Sequence, residues 1–200
     1  STTEGESDER LTSRGWDELV IMPIEDERIR RSIIVRYLGE FHKGVSTDQL
    51  ERVAGDTKAN SPLYLRVVAE ELRLHSAHET LDDAIDLYTG EEDLLGVFDL
   101  VLRRMENDFG RERVGDLLRL IRASRTGLSE SELLEMAQMS RLELSRLLFA
   151  FDYHLLYRDG LLGFFHDYLR RAVEHRYLDD ESATRDAYLK LAEYFEGAMI

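Results

Sequence analysis

The chain has 200 residues, with 41 acidic against 26 basic side chains, no cysteine and two prolines. That length suits one large domain or two small ones with a real core, and an apolar share of 43% is too high for a disordered chain. The composition excludes disulfides, thiolate zinc sites and cysteine nucleophiles, offers no apolar run near the ~18 residues of a membrane span, and at a net charge of −15 disfavours free binding to nucleic acid or anionic lipid.

In chain order, the opening STTEGESDER has neither the basic start nor the apolar stretch of a signal peptide. Leu19-Val20-Ile21-Met22, stopped by Pro23, is too short for a helix and reads as a buried strand. One strand is unstable alone, and residues 1–18 offer it no partner, so the chain is expected to be the C-terminal part of something larger. Glu25-Asp26-Glu27 open a helix whose stripe is Ile29, Ile33, Tyr37, Leu38 and Phe41, broken by Gly39 and Gly44. Ser46 or Thr47 caps a short helix through Leu50 and Val53 that ends at Gly55. Ser61 caps the next, with Pro62 in its first turn and Leu63, Val67, Val68 and Leu72 as the buried stripe. Thr80 starts a helix with Leu81, Ala84, Ile85 and Tyr88, ending at Gly90. A longer helix carries Phe98, Val101, Leu102 and Met105 to Phe109-Gly110.

From residue 110 both charge and pattern change. Residues 1–27 hold 9 acids and 2 bases, residues 110–139 balance at 5 and 5, and residues 140–178 hold 5 acids and 6 bases. The near-neutral block marks a separate unit. Its first helix, with Val114, Leu117, Leu118 and Ile121, ends at Thr126-Gly127. Ser129 to Glu132 is a capping box opening a second helix with Leu133, Leu134 and Ala137. Ser140 caps a third, with Leu144, Leu147, Leu148 and Phe151. Arg158-Asp159-Gly160 between Leu155-Leu156-Tyr157 and Leu161 to Phe165 is a hairpin signal. Three helices and a hairpin make a winged helix. A helix with Leu169, Ala172, Val173 and Tyr177 follows, then a polar break at 179–182 and a last amphipathic helix with Ala187, Leu191, Ala192 and Phe195.

Few residues suit chemistry. Gly39 to Ser46 has the glycine spacing of a phosphate-binding loop, but Val45 stands where lysine must neutralise phosphate, and no strand precedes it. No His-Glu-x-x-His pair or nucleophile elbow exists, so neither a catalytic residue nor a metal ligand is assigned. The third helix of the winged helix offers Arg141 and Arg146 around Glu143 and is otherwise largely leucine, which argues against DNA reading. His166-Asp167 opens a helix, where free N–H groups and partial positive charge suit a phosphate; Asp167 either caps that helix or fixes the imidazole. The histidines at 42, 75, 78, 154 and 175 read as surface or packing residues.

Two motifs carry a resemblance. Asn60-Ser61-Pro62-Leu63-Tyr64-Leu65-Arg66 is similar to the Asn-Pro-Leu-(Tyr/Phe)-Leu segment of NACHT-type signal-transduction ATPases, the STAND class, and Phe165-His166-Asp167 resembles their Met-His-Asp motif at the same point of a winged helix. Asp108-Phe109-Gly110, Gly127-Leu128-Ser129 and Leu169 to Val173 resemble the branch that often precedes tetratricopeptide or WD-type repeats. The resemblance implies a mostly α chain: a remnant of an α/β ATPase core over 1–24 with its last strand at 19–22, a helical lid over 25–109, a winged helix with one β-hairpin over 110–178, and a connector or first sensor helix over 179–200. Pro62 then matches the lid proline that packs on adenine, and His166 the histidine that contacts the β-phosphate of ADP and holds the closed form. Ser61 interrupts the usual Asn-Pro pair and Phe165 replaces methionine.

The implied function is a nucleotide-dependent switch that closes over ADP or ATP, with Mg²⁺ held by the complete protein. The implied partners are an upstream nucleotide-binding core and a downstream repeat sensor, with a cytoplasmic homo-oligomer in the active form and no role at membranes. Without a phosphate-binding loop and catalytic acids, these residues alone are expected not to hydrolyse ATP. The alternatives are a winged-helix transcription regulator with a helical sensor domain, or a helical protein-interaction scaffold.

Overall fold

The structure, a computed structural model, describes residues 21–74 and 80–197. Ten α-helices and one two-stranded antiparallel sheet make up the described residues, so the chain is mostly α with a single β-hairpin. Leu19 and Val20 of the expected first strand lie outside the described residues; Ile21 and Met22 have no regular secondary structure and are exposed. His75 and His78 also lie outside them. No helix of the described residues is long and apolar enough to cross a membrane. The chain divides into two compact units, meeting in sequence between Val97 and Phe98.

The N-terminal unit contains α1 (Glu27–Glu40), α2 (Thr47–Ala54), a 3₁₀ turn (Thr57–Asn60), α3 (Pro62–Leu74) and α4 (Leu81–Gly90). Asp26 caps α1 by accepting from the Arg28 N–H, and Ser46, not Thr47, caps α2 in a capping box with Gln49. Both α1 and α4 pack on α2 and α3. Within α3, Val67, Val68 and Leu72 of the expected stripe are buried but Leu63 is only half-buried, and Tyr64, Leu65 and Ala69 are buried as well. The stripe expected on α1 is rotated. Ile34 and Leu38 are its buried residues, while Ile29 and Ile33 are exposed. With Ile33-Ile34-Val35 in a row, helical spacing offers more than one inward face, and packing on α2 and α3 selects between them. On α4 the expected residues Leu81, Ala84, Ile85 and Tyr88 are the buried ones.

Helix α5 (Leu94–Phe109) runs from one unit into the other. The C-terminal unit continues with α6 (Arg111–Ala123), α7 (Glu130–Ala137), α8 (Arg141–Ala150), β1 (Leu155–Arg158), β2 (Leu161–Phe164), α9 (Asp167–Tyr177) and α10 (Glu181–Gly197). Helix α6 is its hub, packed by α7, α9, α10 and β2, and buries Val114, Leu117, Leu118 and Ile121. Capping boxes at Ser129–Glu132 and Ser140–Glu143 start α7 and α8. The hairpin turns at Asp159 (φ 53°) and Gly160 (φ 81°), two successive positive-φ residues as a two-residue turn of type I′ requires. Leu128 bridges to Leu162 beside it. Gly127 immediately precedes that bridge at φ 94°, and a Cβ there would lie 2.6 Å from the Leu162 carbonyl oxygen, so only glycine fits. Helix–helix–helix–hairpin order and this third bridged segment together give the winged-helix arrangement. On α10 only Ala187 and Leu191 are buried; Ala192 and Phe195, expected inside, are exposed.

Candidate functional site

Pro62 is the first residue of α3, half-buried, and follows Ser61, whose Oγ accepts from the Tyr64 N–H at 3.3 Å. The turn before it is held by polar groups that sequence reading had not singled out. The Asp56 carboxylate accepts from the Lys58 backbone N–H (2.8 Å), the Lys58 ammonium (2.9 Å) and the Tyr64 hydroxyl (2.8 Å). Lys58 also donates to the Thr89 carbonyl at 3.1 Å, and the Ile24 N–H donates to Asn60 O at 2.7 Å. Burial and the Asp56 carboxylate push the Tyr64 hydroxyl pKa up, so it stays a neutral donor. Further along α3, Glu70 accepts from Tyr37 and from Arg73. Burial alone would raise the Glu70 carboxyl, but its bonds to Arg73 and Tyr37 outweigh that and hold it below the ordinary carboxylate range.

His166 occupies the position before α9, half-buried, and its side chain makes no capping bond. Its ring meets Phe165 edge-on, with centroids 4.3 Å apart. Burial lowers its pKa from the ordinary imidazole value, so at neutral pH it is an uncharged ring that can donate one hydrogen bond and accept another. Asp167, expected to cap α9 or to fix this imidazole, does neither. It is the first helical residue and accepts from Arg170 one turn on, because a carboxylate in the first turn lies beside the i+3 guanidinium. Pro62 belongs to the N-terminal unit and His166 to the C-terminal one, so each is described within its own unit. Among the described residues no group of His, Asp and Glu could hold a metal ion. His154 is a packing residue, buried and edge-on to Phe98 with ring centroids 5.9 Å apart.

The third winged-helix element, α8, has a surface unlike that of a DNA reader. Leu142 is 70% exposed and Phe149 85%. They lie seven residues apart on α8 and so share a face. Glu143 is bound into the capping box and faces Arg113 at 3.5 Å, and Arg146 stacks over Phe109. The outward face of α8 therefore carries two large apolar side chains beside the exposed Arg141 and Arg146. Its leucine content was visible in sequence, and Leu142 and Phe149 lie outside the stripe of Leu144, Leu147, Leu148 and Phe151 read there.

Between α9 and α5 lies a second buried polar group. Arg176 of α9 (side chain 14% exposed) donates to both carboxylate oxygens of Glu106 (2.9 and 2.6 Å) and to Asp99 (2.8 Å), and the Tyr177 hydroxyl donates to Glu106 at 2.7 Å. Arg176 holds the Glu106 carboxyl below its usual range.

Comparison with known proteins adds a family. The model of the nephrocystin 3 helical domain matches residues 41–177, more than half of the chain. A TPR repeat-containing protein of Dictyostelium discoideum is 25% identical over 94% of this chain and 12% of its own length. Human nephrocystin-3 is 28% identical over 91% of this chain and 14% of its own length, and mouse nephrocystin-3 is 32% identical over 66% and 10%. The chain thus spans about an eighth of these relatives. No solved structure matches it.

Proposed function

We propose, because this chain belongs to the nephrocystin-3 helical-domain family, that it is a helical protein-interaction module of a longer protein of that type. The observation that carries the reading is the outward face of α8. Leu142 and Phe149 are solvent-facing in the helix whose cations would contact bases in a DNA-binding winged helix. Covering Phe149 with a partner contributes roughly 1.5–3 kcal/mol of hydrophobic free energy, the scale of an interface anchor. A tetratricopeptide relative and two nephrocystin-3 relatives are consistent with a module embedded among protein-binding segments. The test is a Leu142→Glu/Phe149→Glu variant of the full-length protein, compared with the wild type for co-purifying proteins, with circular dichroism as the folding control. Loss of specific partners at unchanged helicity is expected. An identical set of partners, or binding of duplex DNA that falls steeply with salt, defeats the reading.

A second reading is favoured by His166, an uncapped neutral imidazole at the start of α9, and by the rigid Asp56–Lys58–Tyr64 turn in front of Pro62. In it the module is the lid and winged helix of a NACHT-type ATPase. Pro62 packs on adenine and His166 meets a phosphate of ADP or ATP, with Mg²⁺ held by an upstream core. The switch sets homo-oligomer formation, and the cytoplasmic location that the resemblance implies goes with it. Retention of labelled ADP by the full-length protein, compared between wild type and His166→Ala, tests this reading. Equal retention removes it.

A further inference from the structure

The C-terminal unit holds a cationic groove that neither reading uses. It has a volume of about 510 Å³ and lies between the end of α6, one face of the hairpin, α9 and α10. The hairpin contributes two cross-strand pairs, Leu156 with Gly163 and Arg158 with Leu161, and alternation along each strand puts all four on one face. Helix α6 and the loop after it contribute Arg122 and Arg125, and α9 contributes Arg170. Among the described residues no carboxylate lines the groove. Glu174 pairs with Arg122 and Arg170, and Asp167 pairs with Arg170. Arg125 and Arg158 are exposed and make no ion pair within the described residues. In a chain of net charge −15, four arginines around one cavity, two of them uncompensated, form a local reversal of sign.

The lining also limits what can sit there. A guanidinium binds carboxylate and phosphate oxygens in a forked pair, so the site selects an anion. The cavity is much larger than one phosphate group, and Leu156, Leu161 and Phe164 line it beside the arginines. That mixture suits an extended segment with apolar side chains next to its charges. Beside Gly163 there is open space where a side chain would stand, so a chain can lie close to the strand there. The acidic balance of the molecule and the apolar face of α8 argue against a nucleic acid.

We propose that this groove is a docking site for an acidic peptide segment of a partner protein, carrying clustered Asp and Glu, with Arg125 and Arg158 holding the carboxylates and Leu156 and Leu161 the flanking side chains. The proposal rests on the reading of the module as a protein-interaction unit and assigns it a second surface, separate from the α8 face.

The test uses the 200-residue chain and three fluorescein-labelled peptides followed by anisotropy: one with paired phosphoserines between leucines, one with Asp and Glu in their place, and one with serine alone. The second is expected to bind and the third not; binding by the phosphoserine peptide alone overturns the carboxylate occupant. Arg125→Glu/Arg158→Glu is expected to weaken binding roughly tenfold or more, as loss of two charged contacts does. Gly163→Phe is expected to do the same by filling the groove, with an unchanged far-ultraviolet spectrum. Leu142→Glu/Phe149→Glu leaves peptide affinity intact. Failure of all three peptides to bind overturns the groove, as does equal binding by the arginine variant or competition by short duplex DNA at similar concentration. If the peptides bind as expected while the α8 variant keeps every protein partner, the groove stands and the α8 reading falls. If the α8 variant alone loses partners, the converse holds.

Discussion

Arg176 is a position where one substitution should weaken the C-terminal unit. In Arg176→Met the aliphatic stem is kept and the guanidinium is lost, leaving Glu106 (side chain 10% exposed) and Asp99 (24%) without their shared cation. Breaking a buried pair by removing one partner costs about 3–5 kcal/mol. The lower end applies here, because Glu106 keeps the Tyr177 hydroxyl at 2.7 Å and Asp99 keeps Arg103 at 2.9 Å. Urea unfolding followed by circular dichroism at neutral pH should show a loss of about 3 kcal/mol, with Glu106→Gln costing less because an amide oxygen still accepts one bond. The double variant should recover at least about 1 kcal/mol against the sum of the singles, since the two residues share one network. The pH dependence has a definite sign. Glu106 has a folded-state pKa below its unfolded value, so its contribution is fully present above the unfolded pKa of about 4.3 and is lost as pH falls through the folded value. The gap between wild type and Glu106→Gln should therefore close on acidification. A cost below about 1 kcal/mol, additive single variants, or a gap constant from neutral pH into the acid range would each refute the assignment of this network as a structural clasp.

Further outcomes follow from other positions. Gly127→Ala places a Cβ 2.6 Å from the Leu162 carbonyl at a φ of 94°; it should lower C-terminal-unit stability by roughly 2 kcal/mol, and an unchanged melting midpoint would contradict the close approach. Ser129→Ala removes one side of a formed capping box and should cost about 1 kcal/mol, whereas Ser131→Ala, two residues on and outside the box, should cost much less. Phe149→Ser, at 85% exposure, should leave unfolding within about 0.5 kcal/mol of wild type; a larger loss would mean that the side chain is part of a core.

Element identity was legible wherever a local chemical signal coincided with periodicity. Ser61-Pro62, Ser129 with Glu132, Ser140 and Asp159-Gly160 each fix a backbone geometry through their own atoms, and each stands where the spacing placed it. Which side of a helix faces inward was less legible. On α1 a run of three β-branched residues fits more than one face, and packing on α2 and α3 decided for Ile34 over Ile33. On α10, Ala192 and Phe195 continue the apolar spacing past the last buried residue, Leu191. A helix stripe records what a side chain can bury, not what is present to bury it.

The candidate surfaces divide along the same line. His166 and Pro62 were reached through short motifs, and their local settings, a helix start in each case, follow from neighbouring residues. The groove was invisible in sequence because its arginines stand at 122, 125, 158 and 170 and are gathered only by the hairpin folding back on α6. Segment charge concealed it as well: residues 140–178 differ from neutrality by a single base, so no basic run marks the site. The same tertiary step that gathers these cations leaves the carboxylates of Glu174 and Asp167 paired with only two of them. Local sign, not net charge, therefore decides what this module can hold. A protein that repels polyanions over most of its surface can still present one place where a short anionic segment is attracted, and the surrounding acidity sharpens that choice by penalising any anion too long to stay within the groove.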